Sequence, residues 1–364
     1  MAGIPWILED IVKIAVGLSG GIDSSVTALL LKNEGHELVG LTAGTFSGDM
    51  TYKSPFMSPG NIDDIRTIAD ILGFKLHLVP VSADFSGLVI DPFCAEYLRG
   101  RTPNPCVMCN PLVKFSTLVS RARELGCDAL ATGHYARVNH DSSGRYYISM
   151  ASDQVKDQSY FLYRLSQDTL SYLRLPLGEY TKVTIRKIAR DAGLPTADRP
   201  DSQEICFIPD QRYAEFIEAR TGTIPQPGDL VRTDGELLGR HKGIHRYTIG
   251  QRRGLGVAAP RPLYVVALDP LHNTVTAGYK EDLATDGIVV SDIVYMKSEN
   301  INGIPAMVKI RSTHVPVKID IQERDGLVLG RFHQAQEGVS PGQSAVFYDL
   351  DGNILAGGII KNKL

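Results

Sequence analysis

The sequence predicts an α/β domain built on a parallel sheet, then a small central domain, then a C-terminal antiparallel β-barrel. Three observations carry this. Short apolar runs alternate with amphipathic helical segments up to Gly133. A glycine-rich turn joins the first apolar run to the first helix. From Gly222 the chain becomes rich in Gly and Pro, and its apolar runs become short and evenly spaced. The expected domain limits are 1–209, 210–280 and 281–364.

The elements follow in order. Residues 11–18 read as a buried strand and 19–24 as a turn. Residues 25–33 form a helix ending near Gly35, and 38–41 a short second strand. Ile62, Ile65, Ile68, Ala69 and Leu72 recur at helical spacing and stop at Gly73, which predicts a helix over 61–72. Residues 76–81 are a third strand, 112–125 a helix, and 129–131 a strand leading to Gly133. Later strands are expected at 263–268, 274–277, 288–295, 307–310, 317–321 and 345–349, a pattern that suits a small barrel.

Composition limits the function classes. The chain has 364 residues, 43% hydrophobic, enough for a sizeable core, and a net charge of −3, so a nucleic-acid partner needs a local basic face. No secretory or transit signal is read at the N-terminus, and no apolar run has the ~18 residues of a membrane span. Five cysteines are too few, and odd in number, for a secreted disulfide framework. A cytoplasmic location without membrane attachment is the expectation.

The first turn carries chemistry. Gly17-Leu18-Ser19-Gly20-Gly21-Ile22-Asp23-Ser24 links a strand to a helix. The glycines let the backbone approach a ligand, and the helix start favours an anion. Ser19 and Ser24 can donate to phosphate, while Asp23 suits Mg²⁺ beside one. The plain alternative is an ordinary capped turn. No G-x-x-x-x-G-K-[ST] or G-x-G-x-x-G occurs there, so neither a P-loop lysine nor a dinucleotide fold is expected. The motif resembles the pyrophosphate loop of ATP pyrophosphatases, which split ATP into AMP and pyrophosphate on a Rossmann-like sheet.

The cysteines are the second constellation. Cys106 and Cys109 lie in Arg101-Thr-Pro-Asn-Pro-Cys-Val-Met-Cys-Asn110, whose prolines predict a rigid loop, and Cys206 follows Asp201-Ser-Gln203. Arg99, Arg101 and Lys114 are near enough in sequence to depress a thiol pKa. Cys94 and Cys127 read as packing residues in apolar helical surroundings. The three motif cysteines leave several readings open. Zinc lacks a second ligand pair, and an iron–sulfur cluster would use Cys106, Cys109 and Cys206 as ligands. In a thiol relay one cysteine carries persulfide sulfur and another releases it by forming a disulfide; this is preferred.

Motifs in a fixed order then identify a resemblance. They are Gly17–Ser24, Gly100–Pro105 with Cys109-Asn110, Ala131–Arg137, Lys156–Phe161, Asp201–Gln203 with Cys206-Phe207, Tyr247–Gly256 and Pro341–Gln343. Over nearly its full length the chain resembles the tRNA-specific 2-thiouridylases. The resemblance implies that Gly17 to Ser24, Ala43 and Gly133 hold ATP, with Mg²⁺ on the departing pyrophosphate. It implies that Asn104, Pro105 and Cys106 face the flipped uridine, that Cys109 is the nucleophile and that Cys206 carries the persulfide. His134, Lys156, Asp157, Gln158, Arg311, Ser312 and Gln343 would touch tRNA, and a persulfide donor protein would supply sulfur. The central domain would link the others and help bind tRNA. The chain departs from the family pattern at Cys106, where Asp is usual, at a shortened stretch over 43–50, and at Ser312, where an aromatic is common.

A basic segment supports an RNA partner. Arg232, Arg240, Lys242, Arg246, Arg252, Arg253 and Arg261 are opposed within it only by Asp234 and Glu236. His241, His245 and Tyr247 interleave and offer donors and a stacking face. The plain alternative is a solvated basic surface.

Overall fold

The computed structural model describes residues 11–46, 52–53, 62–200, 205–208 and 212–364. Up to Asp191 the order is β1 (Lys13–Gly17), α1 (Ile22–Asn33), β2 (Glu37–Phe46), β3 (Tyr52–Lys53), α2 (Ile62–Leu72), β4 (Lys75–Pro80), α3 (Ser82–Phe85), α4 (Asp91–Leu98), α5 (Pro105–Cys109), α6 (Phe115–Glu124), β5 (Ala129–Thr132), β6 (Arg137–His140), β7 (Tyr146–Ser149), α7 (Gln167–Tyr172), β8 (Leu173–Arg174) and α8 (Lys182–Asp191). Then come α9 (Tyr213–Thr221), β9 (Gly228–Arg232), β10 (Leu237–His241), β11 (Tyr264–Asp269), β12 (Thr274–Gly278), β13 (Ala284–Tyr295), β14 (Ala306–Lys309), β15 (Val317–Arg324), β16 (Leu327–Glu337), β17 (Ser344–Tyr348) and β18 (Ile354–Lys363). The chain divides into two compact units, one of residues 1–88, 106–207 and 352–354, the other of 89–105, 208–351 and 355–364.

The first unit holds the predicted Rossmann-like sheet. Its order is β3-β2-β1-β5-β8, with β4 also pairing β2. All pairings are parallel except that of the short β3. Ile14, Ala15 and Val16 are fully buried, as a central parallel strand requires. Ile14 and Val16 share a core with Ile22 and Val26 of α1, Ile65 and Ile68 of α2, and Ile185 and Ala189 of α8, while α6 packs against β1, β2, β4 and β5. The α2 helix follows its apolar spacing and ends at Gly73, whose φ of +70° lets the Phe74 amide donate back to Ala69 O at 3.0 Å.

Boundaries moved for definite reasons. β1 starts at Lys13, where β2 begins to pair, and β5 joins one residue later; Ile11 is left 76% exposed. β2 runs on to Phe46 because β4 pairs with it as far as Gly44 and β3 with Thr45 and Phe46. The predicted proline-rich loop is instead the short helix α5, with Pro105 at its first position, where the missing amide does no harm. A π-helical turn, Asn110–Lys114, joins it to α6. Cys94 and Cys127 are buried, as expected, but Cys127 lies past the end of α6 rather than in a helix.

The second unit holds two β structures. The smaller sheet has the order β10-β9-β12-β11, and Leu230, Val265, Val275 and Ala277 form its core. Strands β13-β16-β15-β14-β17-β18 close into a barrel filled by Ile288, Val308, Ile319, Phe332, Phe347 and Ile360, among others. Closure removes the exposed edges that invite aggregation.

Candidate nucleotide and thiol site

The turn after β1 is shaped by its own side chains. Gly20 has φ +75°, a conformation closed to most L residues. Ser24 Oγ accepts from the Ser19 amide at 3.2 Å and donates to Gly21 O at 3.1 Å. Thr42 Oγ1 donates to Leu18 O at 2.6 Å and pins the turn to β2. α1 begins at Ile22, earlier than the sequence suggested, so Asp23 and Ser24 project from its first turn.

The turn lies at the carboxyl edge of the sheet. β2 and β5 flank β1 on opposite sides, so chain order reverses at β1, where open α/β sheets take ligands. Ala43 lies toward the end of β2, and Gly133 directly follows β5. A Cβ at Gly133 would sit 2.7 Å from Asp23 C and 2.8 Å from Ser24 N. Gly133 therefore touches the phosphate turn, and only glycine leaves room for it.

Three side chains around this turn were not found from sequence. Lys182 Nζ lies 2.7 Å from each carboxylate oxygen of Asp23. The Tyr135 hydroxyl donates to Asp23 Oδ1 at 2.8 Å, and Arg199 Nη1 donates to Gly20 O at 3.0 Å. Tyr135 is in turn held by Gln158, which accepts from its amide at 3.0 Å. Lys182 and Arg199 have no local signal, since both come from segments far along the chain. Tyr135 lies inside the Ala131–Arg137 motif.

The three motif thiols belong to the same unit as the turn. Cys106 is half-buried, Cys109 is buried and Cys206 is exposed, and none is in a disulfide. Ring contact between Phe85 and Phe207, centroids 5.5 Å apart, anchors the segment bearing Cys206. Asp201–Gln203 lie outside the described residues. The expected depression of thiol pKa is not found. Burial pushes Cys106 up and Cys109 up to about 11, although the Lys114 charge pulls both down. Dense protein around its sulfur, then the charges of Cys106 and Cys109, push Cys206 up to about 12. Water on the open side of Cys206 moderates that rise.

A measurable consequence follows. A raised thiol pKa means that the thiolate forms only as pH climbs. Iodoacetamide labelling of Cys109 is expected to accelerate about tenfold per pH unit from about pH 7 to about pH 10, without a plateau. Labelling that levels off near pH 8 in peptide mapping would contradict this environment.

Among the described residues no three His, Cys, Asp or Glu side chains are grouped so as to hold a metal ion. The chemistry below uses Cys106, Cys109 and Cys206 as thiols.

The expected tRNA-contact residues are placed as follows. His134 is held by Thr132 Oγ1 at 2.8 Å and packs on Phe115, centroids 5.5 Å apart. Burial, then Lys114, holds its pKa well below the usual histidine range, so its ring is neutral. Asp157 accepts from Ala151 N at 3.1 Å and Ser159 Oγ at 2.8 Å; Lys156, beside it, is half-buried. In the second unit, Gln343 Nε2 donates to Thr102 O at 2.9 Å, and the Thr102 amide donates to Pro341 O at 2.9 Å. Pro341–Gln343 thus brace the strand of chain that leads to Asn104 and Pro105. Arg311 is exposed and Ser312 half-buried.

The basic segment is less free than its sequence suggested. Arg232 pairs with Asp234 and Glu236, Arg240 with Asp229, Arg246 with Glu215 and Glu218, and Arg261 with Glu281. His241, His245 and Tyr247 are buried, so they offer no stacking face. Lys242, Arg252 and Arg253 are exposed and make no ion pair among the described residues. Arg252 lines a concavity of about 390 Å³ with Gly254–Val257 and Pro260–Leu263.

Comparison with known proteins covers the chain from end to end. Residues 12–210 match the model described as the tRNA methyl transferase HUP domain, 214–279 the tRNA methyl transferase PRC-barrel domain, and 285–360 the aminomethyltransferase beta-barrel domain. A tRNA-specific 2-thiouridylase MnmA from Geobacter metallireducens is 44% identical over 355 residues, covering 96% of each chain. One from Geotalea uraniireducens is 42% identical over 357 residues, covering 96% of this chain and 95% of its own. One from Syntrophotalea carbinolica is 44% identical over 350 residues, covering 95% and 98%. The domain descriptions speak of methyl transfer and the relatives' names of thiolation.

Proposed function

We propose, on the premise that this chain belongs to the tRNA-specific 2-thiouridylase family, that it is a sulfurtransferase replacing the C2 oxygen of a tRNA wobble uridine with sulfur. The observation that carries the reading is that one unit holds both a strand-end phosphate turn and the free thiols of Cys109 and Cys206. We assign ATP to Gly17–Ser24, Ala43 and Gly133, the uridine to Asn104, Pro105 and Cys106, and tRNA contacts to His134, Lys156–Gln158, Arg311, Ser312 and Gln343. Lys242, Arg252 and Arg253 add positive charge for the RNA backbone. The domain limits stay at 1–209, 210–280 and 281–364. No helix among the described residues is long and apolar enough to cross a membrane; the cytoplasm is the proposed location.

The C2 oxygen of uracil is a poor leaving group. Its attack on the α-phosphorus of ATP expels pyrophosphate and leaves AMP on the oxygen. Asp23 places a carboxylate on the turn, and one or two carboxylates are the usual protein share of a Mg²⁺ site next to phosphates. Bound there, Mg²⁺ would neutralise pyrophosphate charge. The base must be unstacked before C2 can be reached. The terminal sulfur of a Cys206 persulfide attacks C2 and AMP leaves. The Cys109 thiolate then attacks the Cys206 sulfur, freeing the thiolated base and forming a Cys109–Cys206 disulfide. An external thiol reduces that disulfide before the next turnover, and a persulfide donor protein reloads Cys206.

The purified chain, given ATP, Mg²⁺, unmodified tRNA and a persulfide donor, is expected to form AMP, pyrophosphate and 2-thiouridine in equal amounts. Turnover of ATP with nitrogen rather than sulfur in the modified base would replace this reading with that of a C–N ligase.

A further inference from the structure

The nucleotide turn has no lysine of its own, yet a lysine is held against it. Lys182 opens α8, and its residue is 7% exposed. Its ammonium is fixed by the fold rather than by water. The Lys182 amide donates to Asp153 Oδ2 at 2.9 Å, and Thr181 caps α8 by accepting from the Thr184 amide. Ile185 and Ala189 bury the same face of the helix in the core shared with α1. The Nζ meets both Asp23 oxygens at 2.7 Å and lies 5.8 Å from the centre of the Tyr135 ring.

Stability is a poor reason for such a pair, because a buried ion pair rarely outperforms apolar packing. An anionic ligand supplies a better one. Asp23 stands on the first turn of α1, where phosphate oxygens are expected, and its negative charge opposes them. A desolvated ammonium that can exchange one anion for another avoids a fresh desolvation cost when phosphate arrives. The P-loop lysine fills that role in other nucleotide folds, and this turn lacks it. Arg199 also reaches the turn, but its guanidinium is engaged by Gly20 O and Asp64.

We infer that Lys182 is the cation for the pyrophosphate portion of the bound nucleotide. It rests on Asp23 in this structure and passes to the phosphates on binding, which frees the Asp23 carboxylate for Mg²⁺. This rests on the assignment of ATP to the turn.

Calorimetric titration of the full chain with ATP, AMP and inorganic pyrophosphate tests it. A wild-type chain that binds no ATP refutes the nucleotide assignment and this inference with it. Given wild-type binding, Lys182→Met is expected to lose at least about tenfold in affinity for pyrophosphate and ATP while AMP changes less than about twofold. Lys182→Arg should retain most of the pyrophosphate affinity. Asp23→Asn should bind metal-free pyrophosphate more tightly than wild type. Undiminished pyrophosphate binding by Lys182→Met, or an equal loss for AMP, overturns the assignment. Should Lys182→Met show no cooperative melting, Lys182→Arg and Asp23→Asn decide: weaker metal-free pyrophosphate binding by Asp23→Asn overturns it equally.

Discussion

Replacing Cys206 with serine is expected to reduce 2-thiouridine formation by roughly three orders of magnitude or more, while ATP affinity stays within about twofold. A hydroxyl cannot carry a persulfide, so sulfur never reaches C2. The nucleotide turn should be untouched, because its hydrogen bonds come from Ser19, Ser24 and Thr42. Cys109→Ser should fail later. It can accept the loaded Cys206 but cannot release the base, so a covalent protein–tRNA adduct, cleavable by dithiothreitol, is expected on a denaturing gel. The double variant should be about as inactive as either single one, since groups acting in one sequence are not additive. Thiolated uridine recovered from Cys206→Ser at the wild-type rate would remove the relay. Cys94→Ser is the comparison: Cys94 is buried on α4, and its variant should keep the chemistry.

Gly133→Ala is the second large effect. The added methyl would meet the Asp23 carbonyl carbon at 2.7 Å and the Ser24 amide at 2.8 Å, both backbone, which cannot swing aside. Either β5 or the first turn of α1 must shift. Overpacking of this kind costs about 1–3 kcal/mol of stability. The sharper consequence falls on the ligand, because the displaced atoms form the turn itself. ATP affinity is expected to drop at least about tenfold, beyond what global destabilisation explains. Gly87→Ala is the control, since nothing lies within 4 Å of a Cβ there, and it should change neither melting temperature nor ATP binding. A Gly133→Ala protein with wild-type ATP affinity would show that the turn after β5 stands clear of the nucleotide.

How much of this was legible depends on the range of the interactions. β1 and α2 were readable because a buried central strand is a continuous apolar run and a half-buried helix repeats at 3.6 residues. β18 has no counterpart among the expected strands, and Gly357 and Gly358 interrupt its apolar run. A Cβ at Gly358 would lie 2.6 Å from Ser291 O, so the glycine marks close strand packing in the barrel instead. The basic segment misled for a related reason. Its neutralising acids Glu215, Glu218, Asp229 and Glu281 lie outside the window in which charges were counted. The thiols misled because nearby cations are visible in sequence, whereas burial is not, and burial is the larger influence on Cys109 and Cys206. The phosphate turn was legible as a motif, but the Asp23–Lys182 contact joins residues that only the fold brings together.

Residues 352–354 belong with the first unit although they lead into and open the last strand of the chain. The Met150 amide donates to Gly352 O at 2.9 Å, and Ser149 Oγ donates to Asn353 Oδ1 at 2.6 Å, so β7 waits for a partner about two hundred residues downstream. During synthesis on the ribosome, the amino-terminal half emerges with that place unfilled until translation is almost finished. A premature stop anywhere in the barrel would therefore deprive both units at once, and the truncated product is a natural client for chaperones and proteases.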